Sequence, residues 1–246
     1  MISNLQKGGG NIRSTAFRSV NRVGHLFLLC FIFIIVSGCH HASGVSTTLK
    51  DDGKVVFKRL AVVPFQRVSP EDAAFKTVRC PVCGMVFATE QFPRDSEKIV
   101  EDIFFERLRA QKHFTLIPAE RVAGMYERMT GGFHKVDSIK ILTQVGTELE
   151  ADGIVLGNVY RYRERKGYPY SAEKPASVAF EIHLIRVNDG AVVWRGVFDK
   201  TQKSLMEDIF QISSFVKEGG KWVTVKELTE EGMEEVLKKF PGLHKE

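Results

Sequence analysis

The chain has 246 residues, 43% of them hydrophobic, with 35 Lys and Arg against 30 Asp and Glu for a formal charge of +5. Four of those cations, Lys7, Arg13, Arg18 and Arg22, lie in a leader that contains no acid, so the chain from residue 39 onward carries only +1 and offers no charge argument for nucleic acid as a partner. What remains after the leader is long enough for one well-buried core of ordinary size.

The leader, residues 1–38, reads as a signal peptide. A basic stretch precedes the apolar run Leu26–Val36, which is the length of a signal core and too short for a comfortable bilayer span. The run ends in Val36-Ser37-Gly38-Cys39, which resembles the lipobox of bacterial lipoproteins, an aliphatic residue and two small ones before a cysteine. The resemblance implies a lipidated Cys39 and attachment to a membrane through that lipid; the competing reading is a plain apolar anchor with an incidental cysteine. His40 stands where a retained lipoprotein would carry Asp, which implies the periplasmic face of the outer membrane. Residues 39–54 are polar and rich in small side chains, the composition of a flexible lipid-anchored tether.

Residues 55–246 are expected to form a single globular domain. It opens with Val55-Val-Phe-Lys-Arg-Leu-Ala-Val-Val-Pro-Phe65, an apolar run closed by a proline, as in a buried strand. Residues 67–93 show no period and contain Cys80 and Cys83, so they read as an inserted loop long enough to have a purpose. From Asp95 and Ser96, Ile99, Val100, Ile103, Phe104 and Leu108 recur at helical spacing, with acids early and Arg107 and Arg109 late, matching the helix dipole. A short strand at 114–117, a helix from Pro118 to about Thr130 and another from about Asp137 to Leu149 follow.

The second half changes character. A strand over 151–163, a polar loop to Pro175 and an alternating strand over 177–187 lead to Asn188-Asp189-Gly190, then a returning strand over 191–198; Asp-Gly between alternating runs is a strong hairpin signal. Helices are expected at 205–216 and 225–240. The sum is an α/β (α+β sandwich) domain with a mixed sheet of about 4–5 strands, an antiparallel hairpin in its second half, and helices packed on it.

The stretches Ala61-Val-Val-Pro-Phe65, Gly146-Thr-Glu-Leu-Glu-Ala-Asp-Gly-Ile-Val-Leu-Gly-Asn-Val159 and Leu184-Ile-Arg-Val-Asn-Asp-Gly-Ala-Val-Val-Trp-Arg-Gly196, in this order, resemble the envelope superfamily of LpoB, the CsgG secretion lipoprotein and the amino-terminal domain of TolB. The resemblance covers most of residues 55–240 except the cysteine loop. It implies binding and assembly roles in the cell envelope rather than catalysis, with an envelope protein as partner and a homo-oligomer compatible with the family. A secretion pore is the less expected member, since it needs two amphipathic membrane-spanning hairpins and the one long insertion alternates poorly.

No catalytic constellation emerges from the residues themselves. None of the seven histidines has a Ser or Cys partner at a recognisable spacing, and His183, among apolar neighbours, reads as a core residue. Arg79-Cys80-Pro-Val-Cys83-Gly84-Met85 leaves three readings open. It is half of a zinc ribbon, for which His113, His134 or a second copy of the chain would have to complete the ligand set. It is a redox pair, although without the usual strand-to-helix setting. Or it is a disulfide-closed loop suited to an oxidising compartment. Tyr160, Tyr162, Tyr168 and Tyr170, interleaved with Arg161 and Arg163, are expected to form a basic aromatic surface for a protein or glycan partner. The sequence thus points to an outer-membrane-anchored binding or assembly factor that needs no cofactor. The alternative is a metal-binding, zinc above all, or thiol-redox protein centred on Cys80 and Cys83.

Overall fold

A computed structural model describes residues 44–49, 57–72, 74–90, 92–109, 114–131, 139–168, 171–202 and 222–242. The leader with Cys39, His113, His134, Tyr170 and the helix expected at 205–216 lie outside these residues.

The strands are β1 (Gly44–Leu49), β2 (Arg59–Val62), β3 (Gln66–Arg67), β4 (Thr77–Arg79), β5 (Val86–Ala88), β6 (Thr115–Leu116), β7 (Gly153–Arg163), β8 (Lys166–Tyr168), β9 (Ser171–Lys174), β10 (Ser177–Arg186) and β11 (Val192–Thr201). The helices are α1 (Ser96–Arg109), α2 (Ala119–Thr130), α3 (Ile139–Glu148) and α4 (Val225–Leu237). One mixed sheet has the order β1-β11-β10-β7-β2-β6, with β3 beside the far end of β7. β2 is parallel to β6 and β7, while β7, β10, β11 and β1 are antiparallel in succession. The α+β class holds. The sheet has seven strands rather than four or five, because β1 and the two-residue β3 come from segments too polar or too short to announce a strand, while β6 falls within the short strand expected at 114–117.

β1 corrects the reading of 39–54 as tether throughout. Gly44–Leu49 pairs residue for residue along β11, from Gly44 opposite Asp199 to Leu49 opposite Trp194. Its Ser and Thr residues suit an edge strand with one solvated face as well as they suit a linker.

The parallel half is set by the Ala-Asp-Gly turn before β7. Asp152 accepts the Lys58 and Arg59 backbone N–H groups, both at 2.9 Å, which locks β2 into register with β7. Gly153 and Gly157 follow because β7 passes under two rings: a Cβ at 153 would lie 2.7 Å from Phe57, and one at 157 would lie 2.4 Å from Phe65. The hairpin between β10 and β11 closes with Gly190 at φ +70 and Asp189 held by Arg186.

The sheet is covered on both faces. α1 and α4 bury Val100, Phe104, Leu108, Leu228, Met233 and Val236 against Val155, Phe180 and Trp194 on one side. Trp194 is a core residue, edge-on to Phe240. On the opposite face α2 and α3 cover one end, with Val122, Tyr126, Leu142 and Val145 over Ala61, Ile154, Leu156 and Ile185. The other end is roofed by the 67–93 insertion. This is not an irregular loop: β4 and β5 form a hairpin whose Phe87 stacks on Tyr160 at 3.9 Å. The insertion is pinned by the Thr89 hydroxyl donating to the Tyr160 carbonyl (2.7 Å) and by Arg161 donating to the Ala88 carbonyl (2.9 Å).

Candidate functional site

The roof of the insertion and the sheet beneath it bring together the cysteine pair and two residues about a hundred positions away. Pro81 and Val82 turn the chain at the head of the β4–β5 hairpin, and Gly84, at φ +75, completes a reversal closed by Cys80 N–H to the Met85 carbonyl (2.7 Å) and Gly84 N–H to the Cys80 carbonyl (2.9 Å). Within that turn the backbone N–H groups of Val82 and Cys83 both point at Cys80 Sγ, each at 3.4 Å. Cys80 is buried and Cys83 exposed, and the two are free thiols rather than a disulfide.

From below, β10 presents Glu181 and His183. Residues two apart on a strand share a face, and this face is the one under the insertion. Cys83 Sγ donates to Glu181 Oε1 at 3.1 Å, His183 Nε2 lies 3.4 Å from the same oxygen, and Cys80 Sγ lies 3.9 Å from His183 Nε2. The ligand atoms of Cys80, Cys83, Glu181 and His183 all fall within 4.8 Å of one another. Tyr160 donates its hydroxyl to Glu181 Oε2 at 2.7 Å, and Arg195, from the adjacent β11, bonds Oε1 and reaches Met85 Sδ with its other end. Asn158 Nδ2 is 3.9 Å from Cys80 Sγ.

The electrostatics follow from burial working against pairing. Burial would raise the Glu181 carboxyl, but the His183 imidazole, the Cys80 thiol and the Arg195 guanidinium outweigh it and hold the carboxyl well below the usual carboxylate range. Burial would lower His183; the bonds to Cys80 and Glu181 instead raise it to about 9. Burial, then the neighbouring Glu181 charge, push the Cys83 thiol up. Tyr160 is driven far above its ordinary value by the same two causes. Two polar atoms of this region, His183 Nδ1 and Asn158 Oδ1, are buried with no hydrogen-bond partner among the described residues. Two soft sulfurs, an imidazole and a carboxylate can hold a transition-metal ion, and the two thiols can also cycle with a disulfide.

The expected aromatic surface is mostly interior. A β-bulge opposite Ala179 and Phe180 puts an extra residue into β7, so the alternation that would have set Tyr160 and Tyr162 on one face breaks. Tyr160 is buried beneath the insertion beside Arg161, and Tyr162 is buried against the α1 and α4 face. Arg163 is half-buried and paired with Glu90 at 2.9 Å. Tyr168 alone of the described tyrosines in the set is open, 78% exposed on the β8–β9 hairpin. Cys80 and Cys83 are where the sequence led. Glu181, His183, Tyr160 and Arg195 as parts of that centre were not foreseen.

No family model matches the chain, and no curated protein does. Among solved structures, a PelC dodecamer from Paraburkholderia phytofirmans is 16% identical, with 82% of this chain and 98% of that one covered, at a TM-score of 0.45. The LpoB C-terminal domain from Escherichia coli is 12% identical, with 61% and 87% covered, at 0.39. Lipoprotein GNA1162 from Neisseria meningitidis is 12% identical, with 66% and 98% covered, at 0.40.

Proposed function

We propose that this chain is a lipid-anchored periplasmic protein of the bacterial outer membrane that acts as a binding or assembly factor in the envelope. The observation that carries the reading is where the folded sheet begins. Strand β1 starts at Gly44, five residues after Cys39, and is paired along β11 over its whole length. Five extended residues reach at most about 17 Å. A lipid on Cys39 would therefore hold the domain close against the membrane instead of letting it range on a long leash. Such a short attachment suits a module that meets a partner at the membrane surface, and the open Tyr168 on the β8–β9 hairpin, on the same short strand as exposed Lys166, offers that partner an aromatic and basic contact.

The experiment is fractionation of cells expressing the full chain, with a labelled fatty acid and a photo-crosslinking residue at position 168. The wild type is expected to carry label and to sediment with the outer membrane. Cys39→Ser should lose the label and be left uncleaved, and light should join the wild type to one envelope protein. Unchanged labelling and processing in Cys39→Ser would return the leader to a plain apolar anchor.

A further inference from the structure

We propose that Cys80, Cys83, His183 and Glu181 form a binding site for one divalent transition-metal ion, zinc being the ion that fits, held between the inserted hairpin and the sheet. The site goes beyond the envelope reading and does not rest on it.

Geometry comes first. Zinc bonds of about 2.3 Å to sulfur and about 2.0 Å to nitrogen or oxygen put tetrahedral ligand atoms roughly 3.3–3.8 Å apart. The separation of 3.4 Å from His183 to Glu181 already matches, 3.9 Å from Cys80 to His183 is a few tenths of an ångström too long, and the widest in the group, within 4.8 Å, needs a contraction of about 1 Å. Cys83, the exposed member, sits on the turn at the head of the β4–β5 hairpin, with its sulfur 3.1 Å from Glu181 Oε1. Within the turn, the Val82 and Cys83 N–H groups converge on Cys80 Sγ, each at 3.4 Å, which fixes the position of that ligand atom.

The second argument is that the site is costly as a purely structural device. Glu181 and His183 are fully buried on a strand whose other buried residues are apolar apart from Ser177, and His183 Nδ1 and Asn158 Oδ1 have no partner among the described residues. A buried polar atom left unpaired is destabilising, and buried ion pairs are seldom worth more than the apolar residues that could replace them. Apolar packing closes the opposite end of the same sheet face, so the fold had a cheaper roof at hand.

Charge selects the class of ion. With both thiols deprotonated, Glu181 ionised and His183 neutral, the ligands carry three negative charges, and Arg195 on Glu181 returns one positive. A divalent cation brings the buried sum to zero. A monovalent one leaves a net negative charge where Cys80, Glu181 and His183 see no solvent. Binding releases the two thiol protons and the imidazolium proton to water, so every charge in the exchange is accounted for. Tyr160 and Arg195 do not bind the metal in this arrangement. Tyr160 holds Glu181 through Oε2 and Arg195 holds it through Oε1, orienting the carboxylate as the partners of metal-bound carboxylates do.

The test uses the full chain purified in detergent without chelator under thiol-protecting conditions. Elemental analysis is expected to find one zinc per chain, and Co(II) in its place should show a thiolate-to-metal charge-transfer band. Cys83→Ser, on the exposed turn, should keep the fold by circular dichroism, lose a large part of that band, and weaken zinc at least 100-fold in competition with a chromophoric chelator. Tyr160→Phe, which removes one hydroxyl from behind Glu181, should weaken it about 10–100-fold. Zinc-free protein whose wild-type thiols react freely and take up neither zinc nor Co(II) would overturn the proposal. So would loading by Cu(I) alone, or an undiminished Co(II) band in the folded Cys83→Ser protein.

Discussion

Two ends of the same sheet face are roofed by different means. Over β2 and the start of β7, helices α2 and α3 lay Leu142, Val145, Leu149 and Val122 on Ile154, Leu156 and Ile185, and among the described residues this cluster is apolar apart from the Tyr126 hydroxyl. Over the far ends of β7, β10 and β11, the β4–β5 hairpin lays a small apolar group, Cys80, Phe87 and Val82, on Tyr160, Ala179 and Val197, and around it gathers buried Asn158, Arg161, Glu181 and His183. The first roof is explained by the hydrophobic effect alone. The second is a polar network on which little hydrophobic energy can be realised, and its residues are held by specific bonds: Thr89 to the Tyr160 carbonyl, Arg161 to Ser177, Asp199 and the Ala88 carbonyl, and Glu181 to Tyr160, Cys83 and Arg195.

The largest effect is expected where that network is broken at its centre. Glu181→Gln leaves Arg195 and the raised His183 without their carboxylate, and loss of one partner of a buried pair costs about 3–5 kcal/mol. Urea unfolding of the metal-free protein should show the loss, together with faster alkylation of Cys80. Stability within 1 kcal/mol of wild type would mean that the roof is wetter and looser than its contacts imply. Leu142→Ala, fully buried under α3, should cost about 2–5 kcal/mol. Its effect should be confined to global stability, with Cys80 alkylation in native buffer unchanged. If both variants alter thiol reactivity equally, the two ends are one cooperative unit and the comparison fails.

A smaller and more local effect is expected from Thr89→Val. It keeps the shape and removes the hydroxyl bonded to the Tyr160 carbonyl at 2.7 Å, a loss of about 1 kcal/mol. Because that bond joins the insertion to the sheet, hydrogen exchange should rise in β4 and β5 and stay the same in β10 and α3. Uniform acceleration would instead show that the insertion and the sheet open together.

How much of this was legible depends on which physical signal each part emits. The β10–β11 hairpin was readable because alternation and Asn188-Asp189-Gly190 are local signals, and Asp152-Gly153 marked the entry to β7 for a reason the structure supplies: the carboxylate holds two backbone N–H groups of β2. β1 was read as tether because Ser46, Thr47 and Thr48 suit a linker and an edge strand alike. The bulge at Tyr160 left no mark, since one extra residue changes which face every later side chain takes without changing composition. The thiol centre was half visible. Cys80 and Cys83 stood out, but their partners lie 98 and 103 residues away, and no local spacing connects them. One signal was available: Glu181 and His183, two apart in Val178-Ala-Phe-Glu-Ile-His-Leu-Ile185, put two polar groups on one face of a strand otherwise fit for burial, and such a face needs a polar roof.

The smallest expected effect on the fold falls on Tyr168, and this is why it discriminates. At 78% exposure on a two-stranded hairpin outside both roofs, its ring buries little, and Tyr168→Ala should stay within about 0.5 kcal/mol of wild type. Tyr160 and Tyr162, its neighbours in the sequence pattern, are interior, so their truncation would confound partner binding with unfolding. Capture of the envelope partner by the full lipidated chain, read by crosslinking from a second position on the hairpin such as Lys166, should fall at least tenfold in Tyr168→Ala if the ring is an anchoring contact. Unchanged capture would move the partner's footprint off the β8–β9 hairpin. A fall in capture with zinc content unaltered would show that the envelope-facing surface and the thiol centre work independently.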